Sequence, residues 1–268
     1  MKKVLQFSDC RKIFDEARNY LLTFPKVDNL LIDKYLDEWK SNISKSIEDL
    51  LEGMLYSVKN RQGMPNTIGN VENLKPYLCN FKPDQILAEF YGDWKQVFAT
   101  IKKDYRPKGN LDINNQRCYW AIFSKAVISA SNFLVRFSDV NQFNVFVKAF
   151  YLNEYTRVAL PHLIEREVDG MGFALACDFL KDNGYPEFVK PDVHIKAIFN
   201  GIGLSDSNDD YEVFKDVVRF SEIIGELPFR VDKIFWLVGS GYFYDDGIRI
   251  HTNRNKFIDI VNKGILKC

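Results

Sequence analysis

Residues 160–199, LPHLIEREVDGMGFALACDFLKDNGYPEFVKPDVHIKAIF, hold the two features of this chain best suited to chemistry: a Gly-x-Gly turn and one aspartate. Asp169 and Gly170 to Gly172 interrupt two apolar segments, 160–168 and 173–180, each long enough for about two helical turns. Two helices must meet there. Glycine at 170 and 172 permits positive φ or close approach by another molecule, and the helix that follows starts with N–H groups lacking intrahelical partners. The stretch Gly170, Met171, Gly172, Phe173 therefore offers donors to an anion, most simply a phosphate oxygen. A plain αα-hairpin with a glycine stop accounts for the same residues.

Beyond the turn, Asn183-Gly184 predicts a helix stop and Pro186 forbids continuation. The chain then runs through Lys190-Pro191 to Asp192, where apolar residues resume. Asp192 stands at an N-cap position, and a cap is worth roughly 1 kcal/mol, which spacing alone favours as its reason for being there. Its carboxylate is also the one group here fit to act on a bond. His194, two residues on, points in a different direction on a helix and does not face Asp192; His162 and His251 have no partner at metal-binding spacing.

These groups must be positioned by helices. Apolar residues recur with helical period over 7–24, 30–39, 43–58, 84–91, 93–105, 115–137, 140–150 and 155–168, and Pro25, Pro107 and Gly109 act as stops. The run 115–137 lacks proline and glycine and is rich in apolar residues, as a central buried helix would be. Residues 59–70 read as a loop, and its Lys59 and Arg61 as solvated charges. Strand alternation is confined to 241–251, where Asp246-Gly247 suits a small hairpin. The class is all-α. At 268 residues and 46% hydrophobic, the chain can bury a substantial core. No run reaches membrane-spanning length, and the amino end lacks the apolar stretch of a signal peptide, so an intracellular soluble protein is expected. Cysteines at 10, 79, 118, 177 and 268 have no paired spacing and read as free thiols. Charges balance at 36 against 36, so any phosphate contact must be local.

The register of turn and aspartate resembles the helix-hairpin-helix (HhH-GPD) DNA glycosylases. Their hairpin reads approximately Leu-Pro-Gly-Val-Gly-x-Lys-x-Ala and their aspartate lies in Val-Asp-x-His-Val. This chain has Val168-Asp169-Gly170-Met171-Gly172-Phe173-Ala174-Leu175-Ala176 and then Pro191-Asp192-Val193-His194-Ile195, with 18 residues from Ala174 to Asp192, the family's interval. Ala126 to Ser131 and Val231 to Gly239 are similar to segments of 8-oxoguanine glycosylases. The resemblance spans about 90–255, with no counterpart for residues 1–70. It implies a two-lobed helical bundle of the glycosylase type. The expected segments are 1–74, a helical piece packing on the C-terminal lobe; 75–184, a lobe ending in the hairpin; and 185–268, a lobe carrying Asp192.

The resemblance further implies removal of a damaged or modified base, an oxidised purine by the outer similarities, with Asp192 as the catalytic carboxylate. Residues Gly170, Met171, Gly172 and Phe173 would hold a DNA phosphate, with a monovalent cation at the hairpin as the sole candidate cofactor and no catalytic metal. Lys181 and Lys190 are candidate DNA contacts; Phe133, Phe229, Phe235 and Trp236 are candidates for the base pocket. The family's Schiff-base lysine is replaced by Ala174, so lyase chemistry at that position is excluded. Iron–sulfur cysteines are missing too. The expected partner is double-stranded DNA, bound by a monomer in the cytoplasm, at the nucleoid if the source is bacterial. The alternative is a DNA-binding relative without chemistry.

Overall fold

The computed structural model describes residues 7–109, 111–115 and 117–266. Along the chain run α1 (Phe7–Leu22), α2 (Asn29–Leu36), α3 (Ile47–Lys59), α4 (Pro65–Ile68), α5 (Pro83–Glu89), α6 (Trp94–Thr100), α7 (Tyr119–Leu134), α8 (Val140–Lys148), α9 (Glu154–Glu167) and α10 (Phe173–Asp182). They are followed by α11 (Val193–Gly201), α12 (Asp210–Ile224), α13 (Pro228–Ser240), the strands β1 (Tyr242–Phe243) and β2 (Ile248–Arg249), and α14 (Arg254–Gly264). The strands pair antiparallel, Tyr242 opposite Arg249, around Asp246-Gly247. All-α is the class observed.

The chain divides into two units, one of residues up to Asn42 and from Gly184 on, the other Ile43–Asn183. The expected boundary at 74 is thereby moved to 42. The physical reason is α3, whose Leu50, Leu51, Met54, Leu55 and Val58 are buried and which packs on α7 and α10 of the middle unit. The loop expected over 59–70 also contains α4, started by Pro65 at its first turn, with Ile68 buried.

In the middle unit α7 is buried on nearly every side, and α3, α5 and α6 pack around it. Trp120, Phe123, Val127, Phe133 and Leu134 are among its fully covered side chains. Burial of each such side chain contributes about 1.5–3 kcal/mol. Ser124 and Ser131 sit in the same dry surroundings because their hydroxyls donate back to the carbonyls of Trp120 and Val127 at 2.8 and 2.7 Å. Helix starts follow local chemistry. Ser46 and Asp49 form a capping box for α3, Asp139 caps α8 and Asn153 caps α9.

In the other unit α13 is the central element, packed by α1, α2, α11 and α12. Its Lys233 is 4% exposed and lies 2.7 Å from Glu38 and 2.7 Å from the Tyr244 hydroxyl, which itself donates to Glu38. Tyr35 receives the Asp245 amide at 2.8 Å, and burial pushes its phenol up to about 12. This network ties residues near 35–38 to the strand hairpin and α13. Removing one partner of a buried pair strands the other charge, at about 3–5 kcal/mol, whereas an apolar replacement of both is often nearly neutral. Glu38→Ala is expected to lose about 3–5 kcal/mol in urea denaturation, and Glu38→Ala with Lys233→Met to recover most of it. Equal stability of the two variants would contradict the assignment.

Candidate functional site

The hairpin joins α9 to α10. Gly170 has φ +78°, a left-handed conformation, and a Cβ built on it would lie 2.8 Å from Ile122 Cγ2 of α7. The amide of Asp169 donates to Ser129 Oγ, also on α7, at 2.9 Å, and the Met171 amide closes the turn on Val168 O at 3.2 Å. The turn is thus pressed onto the unit's central helix. Gly172 is the N-cap of α10, is exposed and supplies no capping side chain. The first-turn amides of a helix of this length carry the positive end of its dipole, worth about 0.3–1 kcal/mol to an anion. Met171 and Phe173 point inward, 2% and 6% exposed, so only backbone is presented along this edge.

The surroundings of the turn are acidic. Glu165 and Asp169 are exposed and, with His162, Arg166, Val168 and Gly170, line a recess of about 590 Å³. His162 Nδ1 lies 3.0 Å from Glu165, and its ring stands 4.4 Å from that of Phe173. Sequence reasoning gives His162 no place beside the turn; the signal for it is the spacing of three from Glu165, which puts both on one helix face. Among the described residues no cluster of three or more acids, cysteines and histidines suits a metal.

Asp192 lies in the other unit, half-buried, at the N-cap of α11. Its Oδ1 accepts the amides of His194 at 2.8 Å and Ile195 at 3.0 Å. Both bonds end on Oδ1, and Oδ2 takes no protein donor among the described residues. The cap expected from the sequence is present, and it consumes one oxygen only. His194 packs against α13 at Gly239, where an added Cβ would fall 2.6 Å from the His194 Cβ and 2.7 Å from Nδ1. Only a residue without a side chain fits there, so Gly239 sets how closely α11 approaches α13.

Of the aromatic pocket candidates, three belong to the core. Phe133 is 1% exposed within a cluster that includes Phe137, Phe143 and Phe146. Phe235 is fully buried between Phe199 and Phe220, with ring centroids 5.5 and 5.8 Å away, and Phe229 is fully buried too. A ring with no accessible face cannot stack on a base, so these three assignments are corrected. Trp236 keeps accessible surface beside Tyr244, at 5.8 Å between centroids. Lys181 is likewise corrected as a DNA contact. It is 7% exposed, with its ammonium 3.8 Å from Asp178 and 3.9 Å from Asp182. Lys190 is half-buried, and its carbonyl accepts the Asp192 amide at 2.8 Å, which shapes the approach to the cap. Ala174 sits one residue into α10, partly covered. Cys10, Cys79, Cys118 and Cys177 form no disulfide among the described residues, and burial pushes the Cys10 thiol up to about 11; Cys268 lies outside the described residues.

No family model matches the chain, and no curated protein matches it in sequence. Solved structures do. The 8-oxoguanine DNA glycosylase of Methanocaldococcus jannaschii is 17% identical with a TM-score of 0.52, over 87% of this chain and 94% of that one. The 8-oxoguanine glycosylase/lyase of the same organism, in complex with 15mer DNA containing 8-oxoguanine, is 17% identical with a TM-score of 0.53, over 87% and 99%. The chain has an 8-oxoguanine-glycosylase-like fold. Coverage of that extent cannot be reached without part of residues 1–70, for which the sequence motifs offered no counterpart. Among the described residues no helix is long and apolar enough to cross a membrane.

The two glycines of the hairpin differ in what they tolerate. Gly170→Ala forces a side chain into positive φ and against Ile122, and is expected to cost about 1–3 kcal/mol by urea denaturation. Gly172→Ala meets no clash, its nearest neighbour being Glu165 Oε1 at 4.0 Å, and is expected to cost only the preference of an N-cap for glycine over alanine, about 0.5–1 kcal/mol. For the cap, Asp192→Ala is expected to lose about 1 kcal/mol while Asp192→Asn keeps most of it, because asparagine caps as well as aspartate. A larger loss in Asp192→Asn than in Asp192→Ala would contradict the cap geometry.

Proposed function

We propose that the protein is a monofunctional DNA glycosylase that hydrolyses the N-glycosidic bond of a damaged or modified base. The observation that carries this reading is the half-engaged carboxylate of Asp192, capping α11 with Oδ1 and leaving Oδ2 without a protein donor among the described residues, in a chain of this fold. Cleavage of the bond passes through an oxocarbenium-like sugar. A fixed carboxylate beside it stabilises the developing positive charge and takes a proton from the attacking water. The cap bonds orient Asp192, so that Oδ2 meets the reaction without rotating. The Ala174 methyl has no amine to form a Schiff base, and strand cleavage by elimination through that position does not follow base removal. The base must leave the stack to be reached, and Trp236 is the candidate with accessible ring surface to receive it.

The hairpin edge from Gly170 to Phe173 would hold one phosphate of duplex DNA through backbone amides, fixing register without reading sequence. The residues present suit a monovalent cation at the same turn, since the recess beside it carries the carboxylates of Glu165 and Asp169; such an ion would offset their repulsion of the phosphate. An oxidised purine, 8-oxoguanine first, is the substrate class supported by the proteins that share the fold. A monomer acting on chromosomal DNA in the cytoplasm fits this reading.

Duplexes bearing 8-oxoguanine, uracil, alkylated purines or mismatches, incubated with the protein and then treated with alkali, test it. One lesion is expected to give breaks that need alkali, and Asp192→Asn is expected to lower their rate by about 10²–10⁴-fold while staying folded. Breaks that persist unchanged in Asp192→Asn, or no breaks on any substrate, would sink the enzyme reading. Duplex binding without base release would then support a DNA-binding relative that has lost chemistry.

A further inference from the structure

The charges of the whole chain cancel, yet between residues 94 and 125 they do not. Lys95, Lys102, Lys103, Arg106 and Lys108, then Arg117 and Lys125, stand against only Asp104 and Asp112, an excess of five positive charges. All seven cations are exposed, and among the described residues none of them meets a carboxylate within ion-pair distance. Elsewhere in the same unit Lys75 is held by Glu52 at 2.8 Å and Arg136 by Glu167 at 2.5 Å.

Their placement makes a row. Helix α6 continues through a π-helical turn, Ile101–Tyr105, and buries Val97, Phe98 and Ile101 against its neighbours. Lys95 and Lys102, seven residues apart, share its outer face, and Arg106 closes the end with Nε on the Lys103 carbonyl at 2.8 Å. Lys125 of α7 reaches across to Trp94, its ammonium 4.9 Å from the ring centroid, and so stands beside the start of the row. At the other end Lys108 and Arg117, with Asn66, Thr67 and Tyr119, line a recess of about 420 Å³. The helical part runs about 18 Å at 1.5 Å per residue, and one DNA strand advances a phosphate about every 3.4 Å.

We infer that this row is a docking surface for the sugar–phosphate backbone of duplex DNA, with the recess between Lys108 and Arg117 seating a phosphate. The inference rests on the glycosylase reading for the choice of DNA. Charge complementarity selects the occupant. Lysine, arginine, amide and hydroxyl donors are the groups that contact phosphates. Among the described residues between 94 and 125 no large apolar side chain is exposed; Tyr91, 89% exposed, stands just before the row, and the run of cations that follows has no apolar centre, which favours a polyanion over an acidic protein as its occupant. Beside the hairpin the carboxylates of Glu165 and Asp169 outnumber Arg166, so that edge supplies little field to draw DNA; the row supplies it within the same unit.

The test is the salt dependence of duplex affinity, measured by fluorescence anisotropy with undamaged duplexes of two unrelated sequences from about 50 to about 200 mM salt. Lys102→Gln/Lys103→Gln/Arg106→Gln is expected to weaken both sequences equally and to reduce the slope of log K against log salt by about 2–3, since each phosphate left without its cation removes about 0.9. Arg117→Gln alone is expected to reduce it by about 1, and carries the test if the triple variant does not fold. Lys26→Gln/Lys82→Gln/Lys148→Gln removes the same charge from exposed lysines outside the row and is expected to change the slope by less than about 1. Equal slopes for row and control variants overturn the proposal, as does preferential competition by single-stranded RNA or an acidic polypeptide. Unchanged slopes in row variants of a protein that binds duplex reject the row alone. A wild-type protein with no duplex affinity rejects the glycosylase reading as well, and base release by Asp192 reports on that reading separately.

Discussion

The contact of Gly170 with Ile122 is the constraint on which the candidate DNA edge depends. The turn between α9 and α10 takes a left-handed residue and sets it against α7 with no room for a Cβ, and the neighbouring Asp169 amide is fastened to Ser129 of the same helix. Because α7 is covered on nearly every side, it has little freedom to shift. The hairpin therefore inherits the rigidity of a core helix although it is itself a surface turn. Backbone donors held in this way need no ordering when an anion arrives, which is how a short edge with no charged side chain of its own can bind.

A similar arrangement operates at Asp192, in the other unit. Cap and chemistry compete for the same residue only if both oxygens are consumed, and here both amides fall on Oδ1. Fixing one oxygen fixes the plane of the carboxylate and hence the position of the second. The cap depends in turn on the seat of α11, where His194 fills the space left by Gly239 on α13. Gly239 lies far from Asp192 in sequence yet sets the packing of the residue two places after it. Its place in a segment similar to 8-oxoguanine glycosylases thus has a steric explanation.

Much of this was legible because it is local. Asp192 as a cap, the glycine turn, the strand pair at Asp246-Gly247 and most helix spans follow from rules that act over four or five residues. What sequence could not supply was the direction each apolar ring faces. The resemblance offered Phe133, Phe229 and Phe235 as pocket candidates, but an aromatic in the core and one in a pocket wall read alike in sequence, and all three are buried in the fold. Lys181 shows the converse. A lysine at a helix end reads as solvent-facing, yet two aspartates on its own helix, three residues before and one after, hold it against the core. The boundary at 42 was hidden for the same reason, since the burial of α3 against α7 and α10 is a tertiary fact.

Net charge says little about function here beyond requiring that any phosphate contact be local. Whole-chain neutrality sums over distances at which charges no longer feel one another, because exposed charges farther apart than about 8 Å are largely screened at physiological salt. A polyanion meets only the side chains beneath it. Read over a window of about thirty residues, the same sequence separates into a basic stretch between 95 and 125 and an acid-rich one around the hairpin, where Glu165, Glu167, Asp169, Asp178 and Asp182 outnumber Arg166 and Lys181. Part of that acidity is paired within the chain, by Arg136 at the surface and by the buried Lys181, while the basic side chains between 95 and 125 meet no carboxylate among the described residues. The imbalance available to a partner is therefore larger than the formal count suggests. A protein can be neutral overall, without a global field, and still present one face that only an anion completes.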